Sequence, residues 1–186
     1  AKANAVKFQY WSDANALADR RKVPDHYRDL YRQYAVPQQF LRPLMQIAHN
    51  AGLQFMCTAY LPQDVSEVAR VVDHFKIASF EAGDDAFVQA HVRYRKEIIA
   101  STGMMAKIPE HLFKYTRRLH CVSAYPCPYS EVQLNVIHDY DLDGFSDHTG
   151  HPMTGAFAVA AGAKIIEVHI RSEYTGDDNP DYPHSL

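Results

Sequence analysis

Seven short apolar runs alternate with stretches of helical periodicity, and polar side chains gather at the carboxyl ends of the runs. The runs are Ala5–Gln9, Gln54–Thr58, His74–Ser79, Glu97–Ser101, Arg118–Ser123, Asp143–Ser146 and Lys164–Ile170. Between them, Gln38–Ala51 places Phe40, Leu41, Leu44, Ile47 and Ala48 at helical spacing before Gly52. Gln63–Asp73 gathers Val65, Val68, Ala69 and Val72 on one face. Weaker helical patterns cover Asp84–Tyr94, Pro109–Thr116, Tyr129–His138 and Pro152–Ala161. Strands alternating with helices at this spacing build βα units around a parallel sheet. Polar residues close nearly every run: Lys7 and Gln9, Thr58, Lys76 and Ser79, Ser101 and Thr102, Ser123 and Tyr125, Ser146 to His148, Glu167 and His169. An open doubly wound sheet uses strand ends only at its switch point. A (β/α)8 barrel uses all of them. The pattern therefore predicts an α/β chain, a TIM barrel with one βα unit outside the seven visible runs, in a single domain over 1–186. Trp11–Pro37, rich in charge and Tyr, reads as a long loop or insertion with a solvated surface.

The bulk properties narrow the function classes. With 19 Lys and Arg against 22 Asp and Glu, the net charge is −3, and no basic stripe is present. A general affinity for nucleic acid or anionic membrane is excluded on that ground. No apolar run is long enough to span a bilayer. Cys57, Cys121 and Cys127 are an odd set without metal-binding or disulfide spacing, which points to a reducing, cytoplasmic compartment.

Two segments carry most of the chemistry. Gly144-Phe145-Ser146-Asp147-His148-Thr149 reads as a strand entering a polar turn. Ile165-Ile166-Glu167-Val168-His169 reads as a buried strand after a helix stopped by Gly162. Glu167 and His169, two apart, share a strand face. Either histidine alone would read as a hydrogen-bonded core residue. Together, with Asp147 and Glu167 beside them, they suit a divalent metal next to acid/base groups. Lys7 and Lys76 interrupt apolar strands, where a buried ammonium needs an anion, either a ligand or a neighbouring acid. Ser79, Ser101, Ser123 and Ser146 can donate to carboxylate or phosphate oxygens, although each alone also fits a cap or a turn.

Six motifs in order resemble the sialic acid (N-acetylneuraminate) synthase family. They are Ala5-Val6-Lys7-Phe8-Gln9, Phe75-Lys76-Ile77-Ala78-Ser79, Ala100-Ser101-Thr102-Gly103-Met104, the stretch Leu119 to Tyr129, Gly144 to Thr149, and Gly162 to His169. The resemblance implies a catalytic (β/α)8 barrel. It leaves two family features outside the chain: a first strand with an acid/base Glu, and a carboxyl-terminal antifreeze-like domain that completes a dimer partner's site. The chain accordingly reads as a fragment. The implied reaction belongs to carbohydrate (sialic acid) biosynthesis. It is a transferase condensation of phosphoenolpyruvate with the open-chain aldehyde of an N-acylhexosamine such as N-acetylmannosamine; water attacks the resulting cation or its equivalent, and phosphate leaves.

By the same resemblance Lys7 and Lys76 hold the phosphate and carboxylate of phosphoenolpyruvate, and Asp147 and Glu167 join them as catalytic residues. Gln9, Ser79, Ser101, Ser123, Tyr125 and Ser146 line the substrate cavity, and Glu81 and Asp181 contact the sugar. His148 and His169 are the metal ligands, with Mn²⁺ first and Mg²⁺ or Co²⁺ next, and Asp147 is a candidate to fix a histidine tautomer. The expected partners are the two substrates and a second copy of the chain in a homodimer. His120, His151 and His184 read as structural or rim residues.

The chain departs from the family pattern at Phe80-Glu81-Ala82-Gly83-Asp84, at Asn179 to Leu186, and in a short loop between Thr102 and Leu119. These departures bear on the sugar more than on the reaction. The strand-end histidines and acid would equally suit a metal-dependent barrel isomerase or aldolase. A non-catalytic synthase-like scaffold is the further alternative.

Overall fold

The structure is a computed structural model that describes residues 3–105, 114–172, 176 and 179–186. The chain divides into two compact units, Ala1–Ile99 and Ala100–Leu186.

The first unit opens with strand β1 (Ala5–Tyr10), followed by helices α1 (Ala14–Arg21), α2 (His26–Gln33) and α3 (Leu41–Asn50). Strand β2 (Gln54–Ala59), helix α4 (Val65–Ala69), strand β3 (His74–Ile77) and helix α5 (Asp85–Val92) follow. Strand β4 (Ile98–Ser101) begins in this unit and ends in the next. β1 and β3 both run parallel to β2. In that register Gln9 stands beside Thr58, and Thr58 beside Lys76. Side chains alternate across a strand, so Lys7, Gln9, Thr58 and Lys76 share one face. Phe8, Phe55, Cys57, Phe75 and Ile77 take the other, and the last four of these are fully buried.

The second unit holds β5 (Thr116–His120), α6 (Asn135–Asp139), β6 (Gly144–Asp147), α7 (Thr154–Ala160) and β7 (Ile165–Val168). β6 lies parallel to both β5 and β7. Phe145 packs with Ile137, Leu142, Ala158 and Ala163 in the core of this unit. In both units sequence neighbours are sheet neighbours, parallel, and joined by crossovers that carry helices. This is the winding of a (β/α)8 barrel. Seven strands of that α/β winding lie among the described residues.

Three expectations need correction. Trp11–Pro37 is not a loop, because α1 and α2 occupy most of it. Asp13 caps α1 through the N–H groups of Asn15 and Ala16, and Lys22 ends it in the left-handed region. Arg28 pairs with Asp19 and Asp25, and Arg32 with Asp29. Caps and ion pairs, with only Leu17 and Ala18 buried in α1 and nothing buried in α2, leave no apolar periodicity to read. Second, β7 is half-buried along its whole length rather than buried; its ladder partner among the described residues is β6. Third, Thr116 begins β5 where a helix was expected over Pro109–Thr116; residues 109–113 of that stretch lie outside the described residues.

His91 on α5 is fully buried between the edges of Phe75 and Phe87. Its Nδ1 meets the Phe87 carbonyl at 2.8 Å, and its Nε2 has no partner. Burial lowers its pKa from the ordinary 6.5 to about 4. The folded state thus favours the neutral ring. That contribution is complete above pH 6.5 and is lost as pH falls toward 4. Chemical denaturation at pH 7.5 and pH 5 should show the wild type losing about 2 kcal/mol more than His91→Leu over that interval. Equal losses would contradict the assignment.

Candidate active site

In the first unit the row Gln9–Thr58–Lys76 stands at the carboxyl ends of three adjacent strands. Lys76 is 3% exposed, and its Nζ donates to the Ile77 carbonyl at 3.0 Å. The Tyr60 hydroxyl donates to Gln9 Oε1 at 2.8 Å, which turns the Gln9 carbonyl toward Tyr60. The Thr58 hydroxyl, buried between Gln9 and Lys76 in the register, has no hydrogen-bond partner. Such an orphan beside a buried cation fits an anion or an ordered water. Sequence reasoning left Thr58 out of the site; its signal was its place at the strand end. Lys7 lies two residues before Gln9 and is half-buried, and Ser79 is buried just after β3.

Glu81 has another role than the sugar contact expected of it. It is 0% exposed, and Arg21 Nη2 donates to its two oxygens at 2.9 and 3.2 Å. The Arg21 guanidinium also stacks over Tyr60 and Phe80. Burial pushes the Glu81 carboxyl up in pKa, and Arg21 opposes that. No surface of Glu81 remains for a ligand; the pair anchors α1 to the segment after β3.

The second unit gathers the other candidates. The register sets Ser146 beside Glu167, and the Ser146 hydroxyl donates to Glu167 Oε2 at 2.6 Å. Ser146 Oγ also lies 3.4 Å from His148 Nε2. His148 Nδ1 meets the Val122 carbonyl at 2.6 Å. That carbonyl, not Asp147, fixes the His148 tautomer, because the Asp147 carboxylate accepts the Thr149 N–H at 2.8 Å. Burial lowers the His148 pKa to about 4, so the ring is neutral near pH 7 and able to ligate a metal.

His169, one residue past β7, meets Asp181 Oδ2 through Nδ1 at 3.2 Å. His184 Nε2 lies 3.5 Å from Asp181 Oδ1. The His169 hydrogen bond first, and the His184 imidazole beside it, hold the Asp181 carboxyl well below the usual carboxylate range. Tyr125, 54% exposed, stands 4.2 Å from His148 between ring centroids and 5.1 Å from His184. Ser101 is buried. A Cβ on Gly103 would come within 2.9 Å of Ser123 Oγ, so the turn after β4 runs tightly against Ser123.

The structure places His148, Glu167, Ser146 and Tyr125 close together, with His184 beside them. Potential ligand atoms of His169, Asp181 and His184 all lie within 4.8 Å of one another. His148 stands beside this group, 5.5 Å from His169 between ring centroids. Two imidazoles and a carboxylate are a donor set that fits a divalent ion.

The sequence signature of the NeuB family matches residues 1–186. The chain belongs to the NeuB family. Pseudaminic acid synthase of Campylobacter jejuni is 30% identical over 170 residues, 82% of this chain and 48% of that protein. Human N-acetylneuraminate-9-phosphate synthase is 27% identical over 149 residues, covering 72% of this chain and 42% of its own. The crystal structure of the N-acetylneuraminic acid synthetase of Leptospira borgpetersenii, in complex with citrate, superposes with a TM-score of 0.86 at 25% identity. That superposition covers 99% of this chain and 68% of the other. The chain spans about half the length of the curated relatives it matches. NeuB membership and the solved barrel agree with the sialic acid synthase resemblance of the sequence motifs. Among the described residues, no helix is long and apolar enough to cross a membrane.

Proposed function

We propose that the chain provides the catalytic barrel portion of a phosphoenolpyruvate-dependent synthase that makes a nonulosonic acid. In this reading C3 of phosphoenolpyruvate forms a bond to the aldehyde carbon of an N-acylated amino sugar. Water adds at C2, inorganic phosphate departs, and a keto group remains. Of the two protons the attacking water releases, one ends on the former aldehyde oxygen and the other leaves with the phosphate, so the balance is one substrate of each kind plus water giving the nonulosonic acid and phosphate.

One observation carries the reading: the row Gln9–Thr58–Lys76 sets a buried ammonium and an orphan hydroxyl side by side at the strand ends of a NeuB-family chain, an arrangement that suits an anion. Lys76 and Lys7 balance the phosphate and carboxylate charges. Ser79, Ser101 and Ser123 donate to anionic oxygens, Gln9 orients the bound enol phosphate, and Tyr125 bounds the sugar. Glu167, held by Ser146, and Asp147 serve proton transfer. His148 and His169 hold a divalent ion, Mn²⁺ first, which when bound polarises the aldehyde oxygen. The acceptor is an N-acetylmannosamine-like sugar or one of the diacetamido sugars implied by the pseudaminic and legionaminic acid synthases among the relatives. A homodimer in the cytoplasm completes the proposal.

Calorimetric titration with phosphoenolpyruvate tests the cradle without needing the acceptor. Saturable binding, competed by inorganic phosphate and insensitive to lactate, is expected. No heat at millimolar phosphoenolpyruvate would contradict the proposal and favour an isomerase- or aldolase-like barrel.

A further inference from the structure

We propose that His184, with Asp181 and His169, forms a three-ligand divalent-cation site, so that the segment Asp181–His184 supplies two of the three protein ligands. The inference deepens the metal-assisted reading above and rests on it for the presence of an ion. It differs from that reading in the ligand set.

His184 carries the argument. It is 3% exposed, yet neither ring nitrogen has a hydrogen-bond partner. A neutral imidazole offers one donor and one acceptor. Leaving such groups buried and unmet forfeits their hydration with nothing in exchange. The group closest to its Nε2 is Asp181 Oδ1 at 3.5 Å, beyond good hydrogen-bond length. The other Asp181 oxygen meets His169 Nδ1, so one carboxylate faces two imidazoles. All three potential ligand atoms lie within 4.8 Å of one another, a span that one ion can bridge. Two imidazoles and one carboxylate bring nitrogen and oxygen donors to one point, a mixed set that suits a dication.

The backbone holds this group in place. His169 and Ser185 form a parallel β-bridge, with the Leu186 N–H donating to the His169 carbonyl at 2.9 Å. A short 3₁₀ turn, Tyr182–His184, returns His184 toward Asp181. The Asp181 N–H donates to Asn179 Oδ1 at 2.9 Å. Gly150, in the left-handed region, lies so close that a Cβ there would stand 3.1 Å from the His184 Cα. The turn after β6 therefore fits directly against the His184 backbone and leaves little room for it to shift. A site with locked ligands favours ions that accept imidazole, such as Mn²⁺, Fe²⁺, Co²⁺ and Zn²⁺, over Mg²⁺ and Ca²⁺. Three protein ligands also leave coordination positions open for water or substrate oxygens.

Titration of the EDTA-stripped protein with Co²⁺, read by its visible absorption and by calorimetry, tests the assignment. One Co²⁺ per chain is expected, with affinity about tenfold or more weaker in both His184→Ala and Asp181→Asn. If those two variants bind within about twofold of wild type while His148→Ala and His169→Ala weaken, the three-ligand set is overturned and the His148–His169 pair stands. If wild type binds no Co²⁺ at all, both metal readings fall. A readout free of variants guards against misfolding. In long-range proton–nitrogen spectra of wild type, Zn²⁺ should shift one ring nitrogen of His184. An unmoved His184 ring alongside a shifted His169 ring overturns the inference.

Discussion

Replacing Lys76 with methionine should weaken phosphoenolpyruvate binding by about 30-fold or more. Lys76 sits on β3 with 3% of its surface exposed, next to Thr58 in the register, and Thr58 in turn adjoins Gln9. Methionine keeps the length and apolar stem but removes the charge. A bound phosphate and carboxylate would then sit in a buried cradle short of one cation. Truncating one partner of a buried charge pair costs about 2–5 kcal/mol, and each 1.4 kcal/mol is about tenfold. Lys164, exposed at the foot of β7, controls for net charge. Lys164→Met should leave the affinity within about twofold, as surface changes usually do. Calorimetric titration of the three proteins, each shown folded by its denaturation midpoint, checks this. Equal affinities for wild type and Lys76→Met would remove Lys76 from the anion cradle.

Gly144→Ala is the most damaging single methyl group expected in the second unit. A Cβ at Gly144 would stand 1.9 Å from the Ile165 carbonyl oxygen and 2.7 Å from its carbon. Gly144 and Ile165 are register partners on β6 and β7, so the obstacle is backbone and cannot rotate aside. Relief requires the two strands to part at the start of the ladder that pairs Ser146 with Glu167. Overpacking costs about 1–3 kcal/mol where side chains can adjust, and more where they cannot. Domains are stable by only about 5–15 kcal/mol. A loss of about 3 kcal/mol or more in urea denaturation is expected, with metal affinity falling in parallel. Gly83→Ala is the neutral control, since nothing lies within 4 Å of its Cβ position. A Gly144→Ala protein as stable as wild type would show that the β6–β7 register differs from the one described.

The strands were legible because each pairs an apolar run with a polar end, and the alternation within a run is local. Gln9 and Lys76 could therefore be named as strand-end residues from the sequence, while their shared face follows from the β1–β2–β3 register. α1 and α2 were not legible, because Asp13, Lys22 and the Arg28 and Arg32 ion pairs define them instead of an apolar stripe. Glu81 looked like a ligand-facing acid after a strand. Its partner Arg21 is 60 positions away, and no local pattern announces such a pair. His184 was hidden for the opposite reason. It lies in a proline-containing polar segment without periodicity, and its only signal was an acid three residues earlier, at Asp181. Family resemblance pointed to His148 and His169, which stand at conventional strand-end positions. The side chain that completes a compact donor set came from a stretch where the chain departs from the family pattern.

The measurement closest to the central claim is phosphate release from phosphoenolpyruvate in the presence of Mn²⁺, with and without a panel of N-acylated amino sugars, on the longest natural protein that contains this chain. Release that depends on one of the sugars, together with a product heavier by the pyruvate unit, is the result predicted. Binding of phosphoenolpyruvate without phosphate release on any sugar would contradict a synthase and leave a scaffold that keeps only the cradle.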